Sequence, residues 1–157
     1  MRRQHGYVIP PRAVPRTDDR YLEVLAQSVF QAGFSWEVVR RKWPTTRRAF
    51  RNFRIDAVAR FGWHDVQRLL ADPGVVRNRR KLQAVIENAR VLQEIRRQHG
   101  SVRSYVQGYL RPKPYAEKVR ILSRTFRFLG PTGIFHFLWC VGEQVPAWEH
   151  RDPRRRR

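Results

Sequence analysis

The segment at residues 69–90 constrains the fold of this chain more than any other stretch. It reads LLADPGVVRNRRKLQAVIENAR. A short apolar stretch typical of a helix ends at Pro73-Gly74. A basic cluster follows, and a longer helical pattern begins after it. Apolar residues recur at helical spacing in the second pattern, and Asn78 precedes it as a candidate N-cap. The segment therefore predicts a helix-hairpin-helix near residues 64–98.

The turn of this predicted hairpin is suited to binding an anion. Successive amide N–H groups at such a turn point the same way, and the first turn of the following helix adds N–H groups with partial positive charge. Gly74 has no Cβ, so a phosphate could approach its backbone closely. An ordinary turn between two helices with a solvated basic start is the alternative. The residues predicted to bind DNA phosphates are Gly74, Val75, Val76, Arg77, Arg79, Arg80 and Lys81.

The charge of the chain favours the phosphate-binding interpretation. Its 157 residues carry 33 Lys and Arg against 13 Asp and Glu, which gives a formal net charge of +20. Self-repulsion of this size destabilises a compact chain unless a polyanion screens it. Nucleic acid is the expected polyanion, and contacts of this kind hold a duplex in register without reading its sequence. A membrane-surface protein is the weaker alternative, because the sequence lacks a basic amphipathic helix with an exposed apolar face.

The remaining patterns predict an all-α fold, a single-domain helical bundle. Residues 1–16 predict an extended basic arm, residues 17–148 the helical domain, and residues 149–157 a disordered basic tail. Thr17 is a candidate N-cap for a first helix, and Ser35 for a second helix that is expected to stop before Pro44.

The cellular setting is predicted from what the sequence lacks. It contains no stretch of 18 apolar residues and no signal-peptide pattern, and Cys140 is its single cysteine. We therefore expect a monomeric protein of the cytoplasm, in the nucleoid of a bacterial cell, with no membrane partner.

Three segments resemble the bacterial 3-methyladenine DNA glycosylase I family. They are VPRTDDRYLEVL…QAGFSW, DVQRLLADPGVVRNRRKLQAVIENAR and FRFLGPTGIFHFLWCVG, and they span about residues 14–142. The resemblance implies the helix-hairpin-helix glycosylase fold and excision of alkylated bases that are first extruded from the duplex. It also implies double-stranded DNA carrying alkylated bases as the partner, and no cofactor.

The resemblance further implies a base pocket. QAGFSW places Trp36 on the family's aromatic residue that stacks on the extruded base, and counting back from Val14 places Tyr7 on the family's tyrosine. Gln31 matches the glutamine of QAG, either as a pocket residue or as a structural one. Ser28 stands where the family has a glutamate that contacts the flipped adenine. A core aromatic between two helices is the alternative for Trp36.

Departures from the family indicate a truncated, zinc-free and divergent member. The family holds zinc with two cysteines and two histidines from both ends of the chain. Cys140 alone cannot complete such a set, so no metal is expected.

No catalytic residue can be assigned from the sequence. The usual Asp after a Gly-Pro segment is missing, since Gly133 follows the GPT of residues 130–132, and no lysine stands in the position of a lyase. A 3-alkylated adenine is already cationic and leaves as a neutral base, so we expect a monofunctional hydrolysis. Because Ser28 replaces a carboxylate, a catalytically degenerate protein that binds duplex DNA is the alternative. The lesion spectrum, the preference for the opposite base and the role of the arginine tail are left open.

Overall fold

Eight α-helices form nearly all of the regular structure in the part of the chain that the structure describes. The structure is a computed structural model and describes residues 3–4, 7–8, 11–33 and 36–155. The helices are α1 Asp18–Gln31, α2 Trp36–Ala49, α3 Ile55–Ala59, α4 Trp63–Ala71, α5 Arg79–His99, α6 Val102–Ser104, α7 Tyr115–Thr125 and α8 Pro131–Cys140.

Shorter elements join and extend these helices. Helix α6 continues as the π-helical segment Tyr105–Leu110, and 3-10 turns cover Arg51–Phe53 and Trp148–His150. Strands β1 Arg3–Gln4 and β2 Tyr7–Val8 form a short antiparallel ladder inside the predicted N-terminal arm. The predicted all-α fold class is confirmed, because two strands of this length add no layer to the packing.

Helix α5 lies at the centre of the packing. Helices α1, α3 and α4 pack against it, and α8 packs against α1. Its inward face is the apolar stripe that the periodicity predicted, and a single hydrophobic cluster includes residues from Tyr21 to Val141. The buried apolar residues of this stripe are Leu82, Val85, Ile86, Ala89 and Leu92.

Two helix starts are fixed by the capping residues that the sequence indicates. The Thr17 hydroxyl accepts a hydrogen bond from the Arg20 amide at 3.3 Å, and the Asn78 side chain accepts one from the Lys81 amide at 3.2 Å. Each cap satisfies an N–H group that the first turn of a helix leaves without a partner. The predicted cap of α2, Ser35, lies outside the described residues.

Helix α2 runs through Pro44, where the sequence predicted its end. It continues to Ala49, with Trp43 and Thr46 buried on its inner face. A proline removes one helical hydrogen bond and crowds the preceding turn. The burial of the flanking side chains outweighs this local penalty, and the extra turn brings Thr45 and Thr46 towards the hairpin.

Residues 149–155 contact α7 through Arg151, and the disorder expected for residues 149–157 stays a prediction. The Arg151 guanidinium lies 4.0 Å from the centre of the Trp148 ring. The Arg151 carbonyl accepts a hydrogen bond from the Tyr115 hydroxyl at 2.9 Å. Residues 156–157 lie outside the described part.

Arg12 connects the N-terminal segment to the end of α8. Its guanidinium donates to the main-chain carbonyls of Trp139, Gly142 and Glu143 at 3.0, 3.1 and 2.9 Å. It also lies 4.1 Å from the centre of the Trp139 ring. Carbonyls at the end of a helix lack partners within the helix and carry partial negative charge. One side chain therefore joins the two ends of the domain.

We predict that Arg12→Ala lowers the free energy of unfolding by about 1–2 kcal/mol, because charge-assisted hydrogen bonds to three carbonyls and one ring contact are lost. Urea denaturation measures this loss. Arg16→Ala is the control, since Arg16 is exposed on the same segment. Equal stability of the two variants would contradict the role given to Arg12.

Candidate functional site

The turn between α4 and α5 is closed by Asp72. The Asp72 carboxylate accepts a hydrogen bond from the Gly74 amide at 2.8 Å, and the Asp72 carbonyl accepts one from the Val75 amide at 3.2 Å. The side chains of Val75 and Val76 are buried. The amides of Gly74 and Val75 are therefore engaged within the turn, and phosphate binding at Gly74, Val75 and Val76 stays a prediction.

Gly74 is required by the close approach of α2. A Cβ at this position would lie 2.8 Å from Thr45 Cβ and 2.9 Å from Thr45 Oγ1, closer than such atoms pack. The hydroxyls of Thr45 and Thr46 both donate to the Gly74 carbonyl. Gly74 therefore attaches the hairpin to α2, a role that the sequence did not indicate.

Three of the predicted phosphate-binding side chains surround the start of α5. Arg77, Arg79 and Arg80 are exposed there, next to the capped N-terminal turn. The partial positive charge of the helix start adds to theirs, and an arginine fork fits a phosphate well. Their contact with DNA remains a prediction.

Lys81 does not belong to this surface, although the sequence placed it there. It is only 3% exposed, and its ammonium donates to the carbonyls of Phe30, at 3.2 Å, and of Ala32. Burial lowers the pKa of this ammonium from its usual range. The side chain instead caps the C-terminal end of α1, and phosphate binding by Lys81 stays a prediction. Its spacing from Val85 and Asn88, four and seven positions along α5, was the signal that it faces inwards.

The predicted base-pocket residues lie at the bend between α1 and α2. Trp36 is 5% exposed, with its ring centre 6.3 Å from that of Trp43. Ser28 is 3% exposed, and a Cβ on Gly133 of α8 would lie 3.9 Å from Ser28 Cβ. Gln31 ends α1 and is half-buried.

These positions keep both readings of Trp36 open. Its burial against Trp43 agrees with the core-aromatic alternative, and stacking on a base would need more of the ring than the 5% exposed here. The side chain of Tyr7, the fourth predicted pocket residue, lies outside the described residues.

Glu23 is a buried carboxylate that the sequence reasoning missed. It accepts a hydrogen bond from Trp43 Nε1 at 2.8 Å and forms ion pairs with Arg20 at 2.8 Å and Arg47 at 3.4 Å. A buried charge with two cationic partners and a donor is satisfied where it stands. Glu23 therefore fixes the orientation of Trp43, and through it the packing of Trp36.

The described residues offer no group of three or more His, Cys, Asp or Glu side chains that could hold a metal ion. The absence of zinc remains a prediction. No helix in the described part of the chain is both long and apolar enough to span a bilayer.

Comparison with known proteins identifies a family model and two curated relatives. The model is described as methyladenine glycosylase and matches residues 12–126. The chain is 30% identical over 148 residues to DNA-3-methyladenine glycosylase 1 of Escherichia coli K12, covering 82% of this chain and 79% of that protein. It is 25% identical over 130 residues to DNA-3-methyladenine glycosylase of Haemophilus influenzae, covering 71% of this chain and 70% of that protein.

Solved structures show the same fold. The 3-methyladenine DNA glycosylase I of Staphylococcus aureus superposes with a TM-score of 0.74 at 26% identity, over 82% of this chain and 78% of that one. A variant of 3-methyladenine DNA glycosylase I in complex with 3-methyladenine gives a TM-score of 0.73 at 26% identity, over 85% and 80%. The predicted helix-hairpin-helix glycosylase architecture is confirmed.

We predict that Gly74→Ala lowers the free energy of unfolding by about 1–3 kcal/mol, because the added methyl group overlaps Thr45 of α2. Urea denaturation tests this, with Gly108→Ala as a matched control. A Cβ on Gly108 would meet no atom within 4 Å, so this change should leave stability within about 1 kcal/mol of the wild type. Equal stability of the two variants would refute the proposed contact with α2.

A second prediction separates the basic side chains at the start of α5. Arg77→Ala, Arg79→Ala and Arg80→Ala should each reduce the slope of log K against log salt concentration for duplex binding by about 1, because each removes one phosphate contact. Lys81→Met removes the same charge from the interior and should leave the slope unchanged. Titration of a labelled undamaged duplex at several salt concentrations measures this. A reduced slope of log K against log salt concentration for Lys81→Met would show that Lys81 contacts a phosphate.

Proposed function

The chain belongs to the methyladenine glycosylase family, and from this we propose that it excises alkylated purines from double-stranded DNA as a monomeric, monofunctional glycosylase. The observation that carries the proposal is the connection between the hairpin and the α1–α2 bend. Lys81, from the hairpin helix α5, binds the carbonyls of Phe30 and Ala32 at the end of α1, six and four residues before Trp36. A phosphate bound at the start of α5 would therefore have a fixed position relative to a base held at the bend.

Duplex binding is assigned to the exposed arginines at the start of α5. With a net charge of +20 the chain attracts DNA at long range. Arg77, Arg79 and Arg80 then hold phosphates without reading the sequence. Such contacts suit a repair enzyme, because damage can occur next to any base.

The extruded base is assigned to Trp36. An aromatic platform stabilises a stacked base by roughly 1–3 kcal/mol. The ring centre of Trp43 lies 6.3 Å from that of Trp36, with the rings tilted by 48°, and Trp43 donates a hydrogen bond to Glu23 at 2.8 Å. The platform therefore has little freedom to turn, so it can favour one orientation of the base.

Bond cleavage needs little help from an acid or a base when the lesion is a cationic purine. The bond between the sugar C1′ and the base breaks with its electron pair going to the base, which leaves neutral; water then adds at C1′ and releases a proton. The buried carboxylates of the described residues, Glu23 and Glu143, are both paired with arginines, Glu143 with Arg111 at 2.7 Å. This pairing supports a mechanism that depends on extrusion and on exclusion of bulk water.

A monofunctional reaction is favoured by the position of Lys81. A lyase needs an amine that can attack the sugar. The Lys81 ammonium instead donates to two main-chain carbonyls and is buried. It therefore serves the fold and leaves the hydrolysis to water.

A second candidate function is duplex binding without excision. The observation that favours it is Ser28, a short neutral residue at the position of the family's glutamate, buried beneath α8. A pocket without that carboxylate loses an attraction for cationic bases. The two candidates differ in one measurable property, the release of free base.

We predict that the wild-type protein releases 3-methyladenine from methylated duplex DNA, detected by chromatography of the free bases. Trp36→Ala should reduce release by about 5- to 150-fold, which corresponds to losing a stack of roughly 1–3 kcal/mol, with a smaller change in duplex affinity. Trp36→Phe keeps a platform and controls for loss of packing. Ser28→Glu should raise release at DNA concentrations below saturation, with Ser28→Ala as its control. No release by any of these proteins, with duplex binding retained, would establish the non-excising alternative.

A further inference from the structure

Trp63 is the most exposed of the large hydrophobic side chains in the described part of the chain. It is 67% exposed and is the first residue of α4. The other tryptophans, Trp36, Trp43, Trp139 and Trp148, are buried or half-buried. Tryptophan is enriched at binding surfaces, because its large ring gains contact area there that it lacks in the free protein. The exposure of Trp63 therefore points to a surface that receives a ligand.

A cavity of about 380 Å³ opens beside the Trp63 ring, between α4 and the first turns of α5. Pockets for small ligands have volumes of roughly 300–1,000 Å³. The polar lining includes Arg79 and Gln83, which are both exposed. Within the described part of the chain, no side-chain hydrogen bond or ion pair engages either of them. The buried apolar residues of the lining are Phe61, Val66 and Ile86.

The backbone that carries Trp63 is held in place by two groups. The Arg90 guanidinium donates to the carbonyls of Ala59 and Phe61, each at 2.9 Å. The Gly62 amide donates to the Asp65 carboxylate at 3.0 Å. The segment that leads into α4 is therefore anchored on both sides of Gly62. A ring presented from such a segment loses little conformational freedom when a ligand binds.

The charge around the cavity favours an anionic ligand. The two carboxylates nearby are both paired, Asp65 with Arg68 at 3.4 Å and Glu87 with Arg127 at 3.2 Å. Arg79 keeps its full charge for a ligand, and a guanidinium matches the geometry of a phosphate. The cavity thus offers a flat aromatic surface beside a cation, and a nucleotide combines a flat base with a phosphate.

We propose that this cavity is a second nucleic-acid site, which holds an unpaired nucleotide of single-stranded DNA. The base stacks on Trp63, the base edge meets the Gln83 amide, and the phosphate binds Arg79. A base inside a duplex has both faces covered by its neighbours, so an unpaired base is the one that offers a face to Trp63. Stacking of this kind tolerates any base, because every base has a π face.

Arg79 connects this site with the predicted duplex surface. It belongs to the arginines at the start of α5 and also lines the cavity. A single strand that continues from a bound duplex would therefore reach Trp63 directly. The site goes beyond the proposed function, because it is built by α4 and α5 instead of the α1–α2 bend and takes an undamaged base.

The experiment compares two duplexes of the same sequence that differ only in a single-stranded tail. One tail consists of thymidines, and the other consists of tetrahydrofuran abasic units, so both carry the same phosphates. Tails on a 3′ end and on a 5′ end are each tested by fluorescence anisotropy. With one of these polarities, the wild-type protein should bind the thymidine tail about 5- to 150-fold more tightly than the abasic tail, the difference expected for one stacked base.

Trp63→Ala should remove the difference between the two tails, and Trp63→Tyr should keep most of it because a platform remains. Affinity for a blunt duplex and the melting temperature should both stay at the wild-type values after Trp63→Ala, because the ring is exposed. Arg79→Ala should weaken the binding of both tails alike, since the phosphates are common to them.

Tyr109→Ala is the matched control. Tyr109 is 42% exposed, and its ring centre lies 5.2 Å from that of His99. Arg79 and His99 are the two ends of α5, 20 positions and roughly 30 Å apart along the helix axis. Tyr109→Ala should therefore keep the full difference between the tails.

Three outcomes would overturn the proposal. The first is equal affinity of the wild-type protein for thymidine and abasic tails of both polarities. The second is an equal loss of affinity for blunt and tailed duplexes after Trp63→Ala, which would place Trp63 against the duplex itself. The third is a dimer that Trp63→Ala converts to a monomer, seen by light scattering with unchanged tail affinities, which would assign the cavity to an interface between copies.

The outcomes also separate this site from excision. Trp63→Ala should release 3-methyladenine from a blunt methylated duplex as the wild type does. A protein that distinguishes the tails through Trp63 and releases no base would support the second site and refute excision. Base release by a protein that does not distinguish the tails would overturn the second site and leave excision standing.

Discussion

The arrangement of the candidate site depends on one buried cation. The Lys81 ammonium, in the first turn of α5, binds the two carbonyls that end α1 and lies 5.8 Å from the Phe128 ring centre. A buried charge is expensive unless it is hydrogen-bonded, and helix-terminal carbonyls are expensive unless they find donors. Each requirement is met by the other, so the start of the hairpin helix and the end of α1 are held together. A neutral side chain of the same length would pack there but would leave the carbonyls unsatisfied.

A second contact fixes the hairpin from the other side. Gly74 lies so close to Thr45 of α2 that a methyl group would not fit, and its carbonyl accepts hydrogen bonds from Thr45 and Thr46. The hairpin is thus attached to α1 through Lys81 and to α2 through Gly74, the two helices on either side of the bend that carries Trp36. Catalysis by extrusion requires that the phosphates and the flipped base keep a fixed separation. Two independent attachments achieve this without any ligand.

The sequence predicted the parts of the structure that depend on local patterns and missed those that depend on distant partners. The apolar stripe of α5 and the Asn78 cap follow from spacing and were predicted correctly. The positive charge of Lys81 favours a surface position, whereas its place on the inward stripe of α5 favours the interior, where the structure has it. The extension of α2 past Pro44 was missed because the burial that supports it comes from other helices. The hydrogen bond from the Gly74 amide to the Asp72 carboxylate is local. The sequence Asp-Pro-Gly alone does not show whether this amide is engaged within the turn or is available to bind an anion.

The replacement of a glutamate by Ser28 bears on recognition more than on bond cleavage. A carboxylate facing a cationic base attracts it most strongly before the bond breaks, because positive charge leaves the base for the sugar as cleavage proceeds. An interaction that is stronger in the bound substrate than in the transition state improves binding without accelerating the chemical step. In the proposed pocket Ser28 would offer a base a hydroxyl and no charge. The proposed pocket would therefore bind cationic lesions less tightly, while stacking on Trp36 and exclusion of water would still act on them. The departure from the family pattern is therefore compatible with a working glycosylase whose lesion preference has shifted.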